Sequence, residues 1–87
     1  MEWDIRNYYE YLVKQAIVDR GIHKTMNEDE LLDLVCLALN KLPARYIRFH
    51  VDMANYLAGE QRQAMDQQVD DALAQSLQFL AHNPRQE

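Results

Sequence analysis

Cysteine, glycine and proline are all scarce in this chain of 87 residues. The single cysteine, Cys36, excludes a disulfide within one chain and a zinc site built from several cysteines. We therefore expect a reducing compartment. With only two glycines and two prolines, few residues interrupt helices, and the composition favours an all-α fold. The length allows a single domain, residues 1–87.

Long apolar runs are also absent, and none reaches the roughly 18 residues that a membrane-spanning helix needs. Residues 1–4 are acidic and no apolar segment follows them, unlike a secretory signal. We therefore expect no membrane partner. Basic residues are in the minority, at 9 Lys and Arg against 14 Asp and Glu, and the net charge is −5. This charge argues against a nucleic-acid polymer as partner, including through a helix-turn-helix.

The first segment with a helical pattern is residues 4–20, where apolar side chains recur at three- and four-residue steps. Asp4 is placed to cap the N-terminus of this helix. Tyr8 and Tyr9 fall on its apolar face, whereas Tyr11 falls off that face. The pattern therefore predicts two tyrosine rings in the core and one exposed ring. The alternative is an aromatic surface that receives a partner protein or the second subunit of a dimer.

Local signals also mark the limits of the helices. Gly21 is a typical C-terminal stop for the first helix. Asn27 and Glu30 have the spacing of a capping box, so a second helix should begin after Asn27. Pro43 disfavours helical backbone in the residue before it, and this helix should therefore end near residue 40.

The second helix is apolar on more than one side. One face carries residues that we assign to the core: Leu31, Leu34, Val35, Ala38 and Leu42. Leu32, Cys36 and Leu39 point elsewhere, and a chain this small has little further protein to cover them. We therefore predict that these three residues form the interface of a homodimer.

Beyond the second helix, residues 44–57 are rich in β-formers, and we interpret them as irregular to extended. A last helix is predicted over residues 60–82. Its apolar stripe is Met65, Val69, Leu73, Leu77 and Leu80. The predicted fold is thus a small all-α domain of three to four helices, with an extended segment before the last one.

Positive charge is concentrated at one junction, although the chain as a whole is acidic. Residues 34–51 contain three cations and no acid, so the remaining residues carry eight net negative charges. Guanidinium groups bind phosphate through a planar fork of donors, and a tyrosine ring offers a face to a base. This junction therefore predicts an anion-binding site made of Lys41, Arg45, Tyr46 and Arg48.

A structural alternative is a solvated turn in which Arg45 and Arg48 pair with acids of the last helix, such as Asp66 or Asp70. Other chemistry is poorly supported by the sequence. It has no Ser-His-Asp or Cys-His arrangement, no glycine-rich phosphate loop, and no pair of histidines at helical metal spacing. We therefore predict a protein that is not an enzyme, with no metal and no cofactor.

Residues 38–46, A-L-N-K-L-P-A-R-Y, resemble the signature of the late competence protein ComFB family, A-L-N-[KR]-L-P-x-R-Y. Residues 69–75 and 83–85 are similar to the end of the same family's last helix. The resemblance extends over about residues 30–85. Lys41 stands where arginine is usual, and Ala44 where a second proline is frequent.

The resemblance implies a small, mostly helical, dimeric protein of the cytoplasm. Some members of the family, notably in cyanobacteria, are receptors for cyclic di-GMP or cyclic di-AMP, which carry two phosphates and two purines. A signalling role and a cyclic dinucleotide partner are thus implied. Members with a cysteine cluster before the second helix can hold zinc, but residues 21–26 here contain no cysteine. The alternative function is a dimeric adaptor that binds an unidentified partner protein and no small ligand.

Overall fold

The fold is known from a computed structural model, which describes residues 3–52 and 59–83. In chain order its elements are β1 (Ile5–Asn7), α1 (Tyr8–Asp19), a short 3-10 helix (Ile22–Lys24), α2 (Glu28–Asn40), β2 (Tyr46–Arg48), α3 (Phe49–Asp52) and α4 (Glu60–His82). β1 and β2 form an antiparallel pair. The prediction of a mostly helical fold is confirmed, and the small sheet is a correction to the all-α prediction.

The predicted N-cap of α1 was wrong. Asn7, not Asp4, caps the helix, because its side chain accepts a hydrogen bond from the Tyr9 N–H at 3.2 Å. Residues 5–7 pair with β2 and so cannot continue the helix backwards. Asp4, which precedes β1, instead contacts the start of α3. Its carboxylate accepts a hydrogen bond from the backbone N–H of His50 at 2.8 Å.

The other predicted helix limits are confirmed. Gly21 follows α1 with a φ of 68°, a left-handed conformation that glycine adopts without strain. Asn27 and Glu30 form the predicted capping box, in which each side chain accepts the other's backbone N–H, at 2.9 and 3.0 Å. α2 ends at Asn40, and α4 covers the predicted residues 60–82.

The extended segment predicted before the last helix is only partly a strand. Residues 46–48 form β2, and residues 49–52 form the single helical turn α3. Residues 53–57, the rest of that segment, lie outside the described part of the chain. β2 follows the alternation of a strand, because Ile47 is buried between two exposed neighbours.

The core lies where α1, α2, α4 and β2 meet. Its buried members are Tyr8, Tyr9, Leu12, Val13, Ile17, Leu34, Ala38, Ile47, Met65, Val69, Ala72 and Leu73. The predicted core face of α2 is confirmed, since Leu34 and Ala38 are fully buried and the rest of that face packs against them. Across the described residues, no helix is both long and apolar enough to cross a membrane.

The prediction that Tyr11 is an exposed ring was wrong. Its ring is half-buried and stacks on Tyr8, with 5.7 Å between the ring centroids. It also packs against the Phe49 ring in an edge-to-face arrangement, with 5.7 Å between the ring centroids. α3 therefore covers a side of α1 that the helical pattern left open to solvent.

Ser76 is the exception in this core, because its side chain is polar. It lies on the inner face of α4 and is fully buried, and in the described part of the chain its hydroxyl has no hydrogen-bond partner. Burying an unpaired hydroxyl costs about 1–3 kcal/mol. This single position therefore lowers the stability of the fold.

Replacing Ser76 with alanine should raise the free energy of unfolding by about 1 kcal/mol, because the unpaired hydroxyl is removed. For a domain of this size the melting temperature should rise by roughly 4–8 °C. Gln78→Ala, on the exposed face of α4, is the control for the higher helix propensity of alanine. It should raise the melting temperature less than Ser76→Ala does. A Ser76→Ala protein that melts no higher than wild type would contradict this account.

Candidate functional site

The connection from α2 to β2, residues 41–45, is held in place by the start of α1. The Asn7 side-chain oxygen accepts the Arg45 N–H at 2.9 Å, and the Arg45 carbonyl accepts the Tyr8 N–H at 2.7 Å. The next residues, 46–48, are held by strand pairing with residues 5–7. The backbone of the predicted site is thus fixed, while its charged side chains stay exposed.

Tyr46 and Arg48 share the outer face of the two-stranded sheet. They are two residues apart on β2, so both side chains point away from the buried Ile47. The Tyr46 ring is 70% exposed. Their partners across the sheet are Asn7 and Ile5, and Ile5 is also exposed. This face offers an aromatic ring and a guanidinium side by side.

Arg45 lies close to the helices. Burial raises the pKa of the Tyr9 phenol above its ordinary value, and the nearby positive charge of Arg45 acts in the opposite direction. The Tyr9 hydroxyl donates a hydrogen bond to the side-chain oxygen of Gln68 on α4. Arg45 is therefore near the surface where α1 meets α4.

Lys41 caps the C-terminal end of α2 and borders a groove between α2 and α4. This groove, called the Lys41 groove below, has a volume of about 180 Å³. Its lining residues are Lys41, Leu42, Gln68, Asp71, Ala72 and Gln75. Through Gln68 it adjoins Tyr9, and so the side of the molecule on which Arg45 lies.

The four predicted site residues thus fall into two pairs. Lys41 and Arg45 border the helical side of the junction, and Tyr46 and Arg48 lie on the outer face of the sheet. Within the described ranges, neither the Lys41 ammonium nor the Arg48 guanidinium has an ion-pair or hydrogen-bond partner. Two cations at this junction are therefore available to an anion.

The acids that the structural alternative assigned to Arg45 and Arg48 are bound elsewhere. Asp70 pairs with Arg20 at the end of α1. Asp66 pairs with Arg62, one turn earlier on α4, at 3.0 Å. Asp66 and Asp70 are therefore not the partners of Arg45 and Arg48, because both acids lie on the α1 side of α4.

A second groove, called the apolar groove below, lies further along the contact between α2 and α4. Its volume is about 330 Å³, and its lining residues are Asp33, Cys36, Leu37, Asn40, Phe79, Leu80 and Asn83. Of the residues predicted for a dimer interface, Leu32 is 57% exposed and Cys36 is exposed, whereas Leu39 packs partly against its own core. Phe79 adds a ring that is 51% exposed.

No group of three or more His, Cys, Asp or Glu side chains among residues 3–52 and 59–83 is arranged to hold a metal ion. His50 is the histidine closest to the predicted site. Its ring nitrogen Nε2 lies 3.5 Å from a carboxylate oxygen of Asp4. The backbone N–H of His50 donates a hydrogen bond to the same carboxylate. This pair connects the segment before β1 to α3 and holds the sheet against that turn.

Three residues of these sites were not predicted from the sequence: Asn7, Gln68 and Phe79. Asn7 had a usable signal, since asparagine before an apolar helix is a typical N-cap. Gln68 had none, because its position depends on Tyr9, 59 residues away in sequence. Phe79 is a large apolar residue outside the core stripe of α4, which is the usual mark of an unpaired face.

Fold and site together define a small, mostly helical protein that presents a fixed basic junction beside a two-stranded sheet. The sequence model of the family described as late competence development protein ComFB matches residues 6–84, nearly the whole chain. The chain belongs to this family. No curated protein and no solved structure gives a significant match to it.

Asn7→Ala should lower the free energy of unfolding by about 2 kcal/mol, because it removes the cap of α1 and the acceptor for the Arg45 N–H. Asn7→Asp keeps an acceptor oxygen at the same place, so it should lower the free energy of unfolding much less. Urea unfolding followed by circular dichroism measures both. Equal losses in the two variants would show that the side-chain oxygen is not what holds the junction.

Proposed function

We propose that this protein is a small regulatory receptor for a cyclic dinucleotide, without enzymatic activity, that acts as a homodimer in the cytoplasm. The observation that carries the proposal is the junction itself. Its backbone is fixed by Asn7 and by β1, and it exposes Lys41 and Arg45 on its helical side and Tyr46 and Arg48 on the outer face of the sheet. A fixed backbone reduces the entropy that binding would otherwise cost.

A cyclic dinucleotide combines the two chemistries that this junction offers. Its two phosphates are anions for which the ammonium and guanidinium groups are suitable donors. Its purines have flat faces that an exposed ring such as Tyr46 can stack against. The two pairs of site residues, on the helical side and on the sheet face, suit a ligand with more than one anionic and one aromatic part.

A two-fold symmetric ligand also suits a two-fold symmetric dimer. The apolar groove and the exposed Leu32 and Phe79 support this second part of the proposal. Exposed apolar patches of this kind are typical of protein interfaces. The same observation favours the alternative function, an adaptor that binds a partner protein through this face and takes no small ligand.

Arg45→Ala should weaken the binding of cyclic di-GMP or cyclic di-AMP by about 10- to 100-fold, because a charge-assisted contact contributes roughly 1.5–3 kcal/mol. Isothermal titration measures the affinity. In thermal shift, saturation at 100 times the dissociation constant should add about 2.7 kcal/mol to wild-type stability.

Lys14→Ala is the matched control, since Lys14 is an exposed cation on α1 outside both grooves. It should bind like wild type. An Arg45→Ala protein that retains full affinity would show that Arg45 does not contact the ligand. A wild-type protein that binds neither nucleotide at hundreds of micromolar would refute the receptor and leave the adaptor.

Phe79→Asp should convert the dimer to a monomer, because it places a charge in the apolar groove. Light scattering should give about twice the 10.3 kDa chain mass for wild type and the single mass for the variant. Val18→Asp is the control, since Val18 is 56% exposed on α1, away from that groove. A wild-type monomer at micromolar concentration, or a dimer that survives Phe79→Asp, would refute the interface.

A further inference from the structure

The two-stranded sheet leaves the outer edge of β1 without a neighbouring strand. Where the strands meet, the Asp4 carbonyl accepts the Phe49 N–H at 2.9 Å. In an antiparallel ladder such bonds recur at alternate residues, so Ile5 and Asn7 direct their backbone groups away from β2. On that side of β1 the described residues supply no third strand. β1 therefore has backbone groups available to another strand.

β1 also lacks the features that usually protect a strand edge. Such edges are commonly blocked by proline, lysine or a bulge, and residues 3–7 contain neither residue type and pair in a continuous register. The one cation of β1, Arg6, lies over the Phe49 ring at 5.0 Å from its centroid. By contrast, the edge of β2 is partly closed, because the Arg48 N–H donates to the Asp52 carboxylate at 3.0 Å.

Apolar side chains accompany this open edge. Seven large apolar side chains of the described residues are exposed, and three of them belong to the sheet and the residues beside it: Trp3, Ile5 and Tyr46. Trp3 and Ile5 are two residues apart in extended backbone, so they share one face. Exposed apolar side chains beside an unpaired strand are typical of a surface that adds a further strand.

The sequence of β1 is complementary to itself in one antiparallel register. If two copies pair with Ile5 opposite Ile5, Asp4 of each copy lies opposite Arg6 of the other, and opposite charges across a ladder are stabilising. Centring the pair on Asp4 or on Arg6 instead places like charges opposite each other, which is destabilising. The charges therefore select the register centred on Ile5.

Both charged groups are available for this pairing. Among the residues that the structure describes, Arg6 has no ion-pair partner. The Asp4 carboxylate accepts the His50 N–H and lies 3.5 Å from the His50 ring nitrogen. A carboxylate has about four lone-pair sites, so acceptor capacity remains for a guanidinium.

From this complementarity we infer that the edge of β1 binds the same edge of a second copy of the chain, forming a four-stranded antiparallel sheet in the order β2, β1, β1, β2. The two Ile5 residues exchange both N–H···O bonds, and each Asn7 N–H donates to the Trp3 carbonyl of the other copy. The contact is two-fold symmetric. It is separate from the apolar groove and does not depend on the proposed ligand.

The contact is small, because only about five residues of each copy pair, and interfaces of this size are weak. We therefore expect it at hundreds of micromolar, above the micromolar range in which the apolar groove should hold a dimer. A second two-fold contact on the same chain joins such dimers into larger assemblies.

Cysteine cross-linking tests the register directly. In a hydrogen-bonded pair the two Cα atoms are about 5.5 Å apart, within the range of a disulfide. Ile5→Cys in a Cys36→Ser protein, oxidised at hundreds of micromolar, should therefore run at twice the chain mass on a non-reducing gel. Val18→Cys in the same background is the matched control, because Val18 is 56% exposed on α1 and Ile5 is 53% exposed. It should remain at the single mass.

The charged pairs are tested by adding a second substitution to Ile5→Cys. Arg6→Glu turns two attractive pairs into two repulsive ones and should slow cross-linking by about tenfold. Arg6→Lys keeps the charge and should cross-link like its parent. A circular dichroism melt of each variant separates a lost contact from lost folding.

Cross-linking of Ile5→Cys that is no faster than that of Val18→Cys, or that Arg6→Glu leaves unchanged, overturns the inference. Adding Phe79→Asp should leave the cross-link intact, since the apolar groove is a different surface. Its loss there would assign the contact to the groove dimer and overturn the strand pairing. Failure of wild type to bind a nucleotide refutes only the receptor, because this cross-link is measured without ligand.

Discussion

One side-chain oxygen connects the start of α1 to the segment that follows α2. The Oδ1 atom of Asn7 accepts the Tyr9 N–H, which starts α1, and the Arg45 N–H, which belongs to the connection after α2. The first bond fixes where the helix begins, and the second fixes the basic junction against that point. Because β1 ends at the same residue, strand pairing, helix capping and the position of the junction all depend on one short segment.

This constraint also decides how the charged residues are distributed. A segment held in strand pairing alternates its side chains, so Ile47 must be buried if Tyr46 and Arg48 are exposed. Arg45, on the other side of that alternation, comes close to Tyr9 and the helices. A cluster that looks continuous along the sequence is therefore divided between two faces, which suits a ligand with several parts better than a single ion.

The parts of the fold that could be predicted depend on local chemistry. The Asn27 and Glu30 capping box, the stop at Gly21 and the end of α2 before Pro43 each involve residues within a few positions of one another. The strand β1 depends on pairing with residues about 40 positions away, and the helical period of the following residues masked it. The same applies to Gln68, whose hydrogen bond comes from Tyr9, and to Asp70, whose cation Arg20 lies at the end of α1.

The two grooves lie along one contact between α2 and α4. Residues 33–40 of α2 meet residues 79–83 of α4 at the apolar groove, and residues 41–42 meet residues 68–75 at the Lys41 groove. The helices are thus antiparallel, and any shift of α2 along α4 changes both grooves together. A ligand that binds two such arrangements with different affinity would therefore alter the surface at the apolar groove. Ser76, whose buried hydroxyl has no partner among the described residues, lies on α4 between the residues that line the two grooves.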